Sequence, residues 1–359
     1  MNITFLVGNG FDKGAGIKSG YEDFYKWYIE QESPSESIQK LKSELKKHLE
    51  ANKDKKETTW SDFELGLGEY TKEFTRETVQ QFFECYEDAH NGIISYLKTQ
   101  TNGIVSKKIS DDVKATIRNG VIGFYSELRT LEKNAIDKLF RDDSPNDAKI
   151  HFISFNYTNL LNKIVTILAS GALRTWNYNT DVKKLFVASQ VLNIHGTDNY
   201  SPVLGVCDEI YIANKDLLSV PYFREIMLKP TCVKNIGETW YDEGKNLIDN
   251  SSIICIYGMS IGNSDSLWWE TIINRLRKDP LSHLIIFWYM KEPPSSISIL
   301  NTTIEKDKVK NAICDFSDMT DEQIKVIKNR IHVIINTKDV LKVTFSDNES
   351  EPTKTLVTV

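Results

Sequence analysis

Cysteine is scarce and scattered in this chain of 359 residues. The five cysteines (Cys85, Cys207, Cys232, Cys255 and Cys314) are odd in number and form no CxxC pair. That pattern argues against a disulfide framework and against a structural zinc. Long hydrophobic runs are missing too. The segments IICIYGM and LIIFWYM are strand-sized, well short of the roughly 18 apolar residues a membrane span needs. Nor is there an excess of positive charge: Lys plus Arg is 44 against Asp plus Glu at 50, a net charge of -6. Such a balance disfavours broad electrostatic binding to duplex nucleic acid, although it leaves room for a local basic groove. The opening MNITFLVGNG has neither a basic start nor a full apolar stretch, so no signal peptide and a cytoplasmic location are expected. HExxH, a GxSxG elbow and a Walker lysine loop are all absent. What is present is globular: 40% apolar and 26% charged residues exclude intrinsic disorder and a collagen-like chain.

Apolar periodicity divides the chain into two textures. Ile3, Phe5, Leu6 and Val7 run straight into Gly8-Asn9-Gly10, the pattern of a central strand covered on both faces. Tyr21, Phe24, Tyr25 and Tyr28 then share a helical face. From 33 to 145 the segments are Glu/Lys-rich, with apolar residues at helical intervals (Ile38, Leu41, Leu45, Leu49; Val79, Phe82, Tyr86, Ile93; Ile117, Val121, Phe124, Leu128, Leu131). This predicts a helical insertion without strands, bounded by linkers at Glu32–Ser35 and Arg141–Pro145. Lys46, Lys47 and the charges from Lys53 to Lys56 read as a solvated face or loop. After 145, strands are expected near 149–155, 185–194, 252–257, 283–289 and 332–335, with helices between them. Thr320 to Gln323 reads as a capping box. Strands alternating with helices predict a doubly wound, mostly parallel, Rossmann-like α/β sheet over 1–32 and 146–345, followed by a polar tail at 346–359.

Four constellations sit at the carboxyl ends of these expected strands, where open α/β sheets bind ligands. Gly8-Asn9-Gly10-Phe11-Asp12 is a glycine turn that can admit a pyrophosphate or simply turn tightly. Asp12 within it is either a helix cap or a catalytic carboxylate. Asn156 and Tyr157 follow a strand; an amide there can hold a ribose hydroxyl or a water, or can cap a helix. His195-Gly196 offers a base active near neutral pH and a close backbone approach, or a structural hydrogen bonder. Gly258, Ser260 and Asp265 form a second glycine turn that can contact the far half of a dinucleotide or cap the next helix. A fifth stretch, Trp60-Ser61-Asp62-Phe63-Glu64, can supply an acid pair (Asp62, Glu64) or a helix cap (Ser61 or Asp62).

Taken together, FLVGNGFDKGAGIKSGYEDFYKWY, WSDFE, FISFNYTNLL, IHG and IYGMSIGNSD resemble the AbiH family, bacterial proteins named for phage abortive infection. In motif order these segments are more distantly similar to sirtuin-like NAD-binding domains. That resemblance implies a first glycine turn on pyrophosphate, an Asn at the nicotinamide ribose and a catalytic His before Gly. Asn156 and His195 are the matching positions. The sirtuin zinc module has no counterpart without paired cysteines, so protein deacetylation is not expected. Where the family often has YGHSL, Met259 stands at the His position.

The function expected from this reading is a defence effector that hydrolyses NAD to nicotinamide and ADP-ribose, with NAD as substrate and no metal. His195, Asn156 and Asp12 would be catalytic; Gly8, Asn9, Gly10, Phe11, Tyr157, Gly196, Gly258, Ser260 and Asp265 would contact the nucleotide. Expected partners are a small-molecule nucleotide, a phage-derived trigger or partner protein and further copies of the chain, but no membrane. Two alternatives stand beside it: a non-catalytic nucleotide-binding sensor or docking module, and a metal-dependent nuclease built from Asp12, Asp62 and Glu64.

Overall fold

The computed structural model describes residues 1–53, 60, 62–103, 109–142, 147–171, 173–178, 181–294, 298–343 and 345. The expected polar tail, the linker residues 143–146, Ser61 and the charges at Lys55 and Lys56 lie outside the described residues. Seven strands form one sheet: β1 (Asn2–Val7), β2 (Ala148–Ser154), β3 (Leu173–Tyr178), β4 (Asp181–Asn193), β5 (Ile253–Tyr257), β6 (His283–Trp288) and β7 (Ile331–Ile335). Their order is β3-β4-β2-β1-β5-β6-β7. Every pairing is parallel except the antiparallel hairpin of β3 and β4 at one edge.

Helices α1 (Gly10–Gly14) and α2 (Tyr21–Tyr28) follow β1. The long excursion before β2 holds α3 (Glu36–Lys53), α4 (Phe63–Tyr70), α5 (Val79–Thr101), α6 (Asp111–Ile122) and α7 (Thr130–Asp142), with no strand among its described residues. Helix α8 (Leu160–Ala169) leads from β2 to the hairpin, and α9 (Phe223–Met227), α10 (Lys229–Asn235) and α11 (Trp240–Asp249) precede β5. Helix α12 (Ser266–Lys278) joins β5 to β6, while α13 (Ile299–Cys314) and α14 (Asp321–Lys328) join β6 to β7. The capping box opens α14 as its sequence predicts, with Thr320 and Gln323 bonded reciprocally.

The winding explains which helix covers which face. Right-handed crossovers that run outward from β1 in opposite directions must lay their helices on opposite faces. Accordingly, α6, α7 and α8 pack on one face against Phe5, Val7, Ile150 and Phe152. The other face, with Leu6, Ile153 and Ile256, takes α11, α12, α13 and α14. The inward-facing Thr4 hydroxyl on that second face meets Ser251 Oγ at 2.6 Å. A separate aromatic core joins α2 to α3, α4 and α5, and recruits Leu204, Val206, Phe223 and Met227 from the stretch after β4. The excursion therefore serves two purposes. Its last two helices roof the sheet, and its first three build a helical unit with α2. No helix among the described residues is long and apolar enough to cross a membrane.

Candidate functional site

Strand register brings the candidate residues together. Val7 pairs with Ser154 on one side and Tyr257 on the other, and Ser154 pairs with Asn193. Four strands thus end at one level, and the turns after them share the carboxyl edge of the sheet. The strand order reverses between β1 and β5, the position where helices diverge to opposite faces and leave a crevice. Both glycine turns meet there.

They meet in close backbone contact. Gly8 N–H donates to Tyr257 O at 2.9 Å, Gly10 N–H to Gly258 O at 2.7 Å and Phe11 N–H to Gly8 O at 3.0 Å. A Cβ on Gly10 would lie 2.6 Å from Gly258 Cα, and one on Gly8 would strike the Met259 side chain. Gly258 itself has φ +66, backbone that favours glycine. The glycines are accounted for by the contact of one turn with the other, and these N–H groups already have acceptors. Helix α1 is only five residues long. Asn9 turns inward: its amide donates to Ser19 O at 2.8 Å and its carbonyl accepts from Ser19 Oγ.

Deeper in the same edge lie three buried polar side chains: Asp12 at 1%, Asn156 at 4% and His195 at 4% exposure. Thr158 Oγ1 donates to Asp12 Oδ2 at 2.8 Å. Burial pushes the Asp12 carboxyl up to about 7, against the hydrogen bond from Thr158 and the dipole of the nearby Asn156 amide, which falls short of a hydrogen bond to it. Among the described residues, Asp12 Oδ1, both amide atoms of Asn156 and His195 Nε2 have no hydrogen-bond partner. Buried polar atoms are nearly always bonded; unpartnered ones also occur on Arg118, Asn162, Asn193, Tyr241 and Trp268, and those of Asp12, Asn156 and His195 share the carboxyl edge of the sheet. Asp12 caps no helix, since α1 starts at Gly10. Asn156 precedes the N-cap of α8, which is Asn159.

His195 is bonded on one side and unpartnered on the other. Its ring meets Phe155 edge-on with centroids 5.5 Å apart and is bonded to the Phe155 backbone. Because Nε2 is unpartnered, the nitrogen that donates to Phe155 is Nδ1, which leaves the Nε2 lone pair free. Burial, with the Lys229 charge, holds His195 well below the usual histidine range. Nε2 faces Asp265 Oδ1 at 4.0 Å. Gly196, at φ +68, passes so close to the Ser201 backbone that no Cβ fits.

Beyond His195 stands a group that the sequence does not announce. Lys229, the first residue of α10, is 0% exposed; its Nζ lies 2.6 Å from Glu64 Oε2 and 4.0 Å from Asp265 Oδ1. Tyr157 OH donates to Glu64 Oε1 at 3.2 Å and to Val203 O at 2.8 Å. Burial raises Glu64 to about 7 and raises Asp265, while Lys229 draws both back down. Lys229, despite its own burial, is held above the usual lysine range by Glu64 and Asp265. Asp265 occupies the N-cap position of α12 without bonding it through its side chain. Ser260 is exposed in the turn.

The acids of the nuclease alternative are not brought together as a metal site. Asp62 caps α4 through Glu64 N–H and Leu65 N–H, Glu64 is bound to Lys229, and Asp12 accepts from Thr158. Among the described residues, no group of three or more His, Cys, Asp or Glu is placed to hold a metal ion. A groove of 580 Å³ between α3 and α4, lined by Lys40, Glu44, His48 and Tyr70 among others, includes none of the strand-end residues.

No curated protein matches the chain. The description "Bacteriophage abortive infection AbiH" matches residues 4–287, a span that takes in both glycine turns, Glu64, Asn156, His195 and Lys229. This chain belongs to the AbiH family of bacteriophage abortive infection proteins.

Proposed function

We propose that this protein acts in abortive infection by binding NAD and hydrolysing the bond between ribose and nicotinamide. The observation that carries the reading is the set of orphaned buried atoms on Asp12, Asn156 and His195 at adjacent strand ends. Rossmann strand order, with the glycine turns at its reversal, supports a nucleotide as the ligand. Similarity of motif order to sirtuin-like domains supports NAD among nucleotides. Hydrolysis forms a bond between a water oxygen and ribose C1′ while the C1′–N bond breaks. Nicotinamide leaves with the electron pair, and the water proton passes to His195 Nε2. Asn156 holds the water or a ribose hydroxyl. The Asp12 carboxylate stabilises the positive charge that develops on the sugar.

One observation favours a second reading, nucleotide sensing without turnover. The N–H groups of Gly8, Gly10 and Phe11 are bonded within the two turns, so a pyrophosphate must exchange with these bonds to enter. A closed resting state that waits for a phage trigger fits both readings. Purified protein incubated with NAD, with and without phage lysate, distinguishes them. Nicotinamide release that is lost in His195→Ala supports hydrolysis. Saturable NAD binding without release supports sensing, and neither binding nor release overturns both.

A further inference from the structure

The proposed hydrolysis leaves Lys229 without a task, yet its burial is costly. An ammonium withdrawn from water is unfavourable, and a buried ion pair is often replaced by apolar residues without loss of stability. The backbone around Lys229 needs no charge: its N–H bonds Val206 O at 2.9 Å, and Val206 N–H bonds Met227 O at 2.8 Å. What the ammonium joins is three parts of the molecule. Glu64 is carried by α4 of the helical insertion, Asp265 by the second glycine turn, and Lys229 by α10 after the hairpin. The insertion is seated independently at the same place. Gly68 O accepts from Ala213 N–H at 3.0 Å, and Asn214 bonds Thr71 and Phe74.

We propose that Lys229 is a positioning residue for His195. Locked between Glu64 and Asp265, its ammonium holds the Asp265 carboxylate beside Nε2 and makes docking of the insertion a condition for an open base. This rests on the reading of His195 as the base. The groups that face the His195 ring are the Phe155 backbone, Tyr157, Asp265 and Lys229, with Glu64 one contact further. Around a neutral imidazole, two carboxylates and one ammonium leave one net negative charge. Removing the ammonium takes away the cation that stands against both carboxylates, in a site shut off from water, so that Glu64, Asp265 and the imidazole compete for a proton. The imidazole then binds a proton more readily, and Nε2 ceases to be a free acceptor.

The test uses the full chain with ¹⁵N-labelled histidine, whose ring shifts report tautomer and protonation directly; His195 is assigned by its loss in His195→Ala. The neutral Nδ1–H form is expected in the native protein. Lys229→Met is expected to raise the proton affinity of His195 by roughly tenfold or more, one pKa unit, and Glu64→Gln to lower it. The double variant Lys229→Met/Glu64→Gln keeps the same net charge as the native site and is expected to titrate closer to it than Lys229→Met does. Should Lys229→Met fail to fold, the double variant set against Glu64→Gln isolates the ammonium. Identical His195 titrations within the pair compared would overturn the proposal. Nicotinamide release measured in parallel separates the two ideas. A shifted His195 in a protein that never consumes NAD keeps the positioning role and removes the NAD reading. An unshifted His195 in a Lys229 variant that consumes NAD normally does the reverse.

Discussion

The two ends of the central sheet bury polar clusters of opposite character. At the amino ends of β6 and β7, His283 Nδ1 and His332 Nε2 lie 2.9 Å apart, with rings stacked at 8°. His332 Nδ1 reaches Glu132 Oε1 of α7 at 3.7 Å, and the other Glu132 oxygen accepts Arg129 N–H. At the carboxyl ends, Asp12, Asn156 and His195 are as deeply buried, but polar atoms of each have no partner. Burial alone does not distinguish a functional histidine from a structural one. The difference lies in hydrogen-bond accounting: one cluster pairs its members with each other, and the other leaves polar atoms unpaired.

The sharpest way to break this comparison is to truncate one histidine from each end. His195→Ala is expected to lower NAD turnover by roughly 10²–10⁴-fold, the contribution of a positioned acid or base, beside a stability cost of roughly 1–3 kcal/mol for the lost Nδ1 bond to the Phe155 backbone, so turnover is the readout that separates the two ends. His332→Ala is expected to leave turnover intact and to cost roughly 1–3 kcal/mol, since it strands His283 and Glu132. Nicotinamide release and urea midpoints measured on both variants settle it. Equal losses of turnover would erase the distinction.

Much of this contrast was open to a sequence reader, and part of it was not. Strands β1, β2, β5, β6 and β7 lie close to where apolar runs put them, because strands buried on both faces leave an unmistakable signal. Strand β3, an edge with polar residues at Arg174, Thr175 and Asn177, carries no such run and leaves no sequence signal; its partner β4 begins at Asp181, ahead of the expected 185. His195 and Asn156 could be suspected because each follows a strand. Lys229 could not. It lies 165 residues from Glu64 in sequence and in no motif, and only the docking of α4 on α10 makes the pair. The helical excursion was legible as helical. That α6 and α7 roof the sheet while α3 to α5 stand with α2 depends on tertiary packing, which periodicity does not encode.

A second expectation sharpens the comparison through pH. Asp12, raised to about 7 by burial, binds its proton more tightly folded than unfolded. Its contribution is therefore fully present below about pH 4 and is lost as pH rises towards 7. Asp12→Asn carries no such dependence, and its amide oxygen can still accept from Thr158. The variant is expected to match the native protein at pH 4 and to exceed it at pH 8 by up to about 4 kcal/mol. Urea unfolding at the two pH values reads the difference. A variant no more stable at pH 8 would mean that the carboxylate is satisfied after all.

The smallest effect belongs to the satisfied end, and its sign is opposite. Against its partial burial, Glu132 is held down to about 2 by the hydrogen bond from His332 and the charge of Lys306. A carboxyl depressed in this way contributes stability above the unfolded value near 4.5, and that contribution is lost as pH falls through about 2. Glu132→Gln is accordingly expected to cost about 1.5 kcal/mol at pH 7, the low end for a hydrogen bond to a charged group because solvent reaches the side chain. The cost should shrink towards pH 2. His283, held down to about 4 by burial and by His332, adds a loss to the native protein between pH 6.5 and 4, as the unfolded chain takes up the proton that the folded one refuses. As pH rises from 2 to 8, Glu132→Gln therefore falls behind the native protein between about 2 and 4.5, and Asp12→Asn gains on it between about 4 and 7. If both gain, or both lose, the two ends of the sheet are not different in kind.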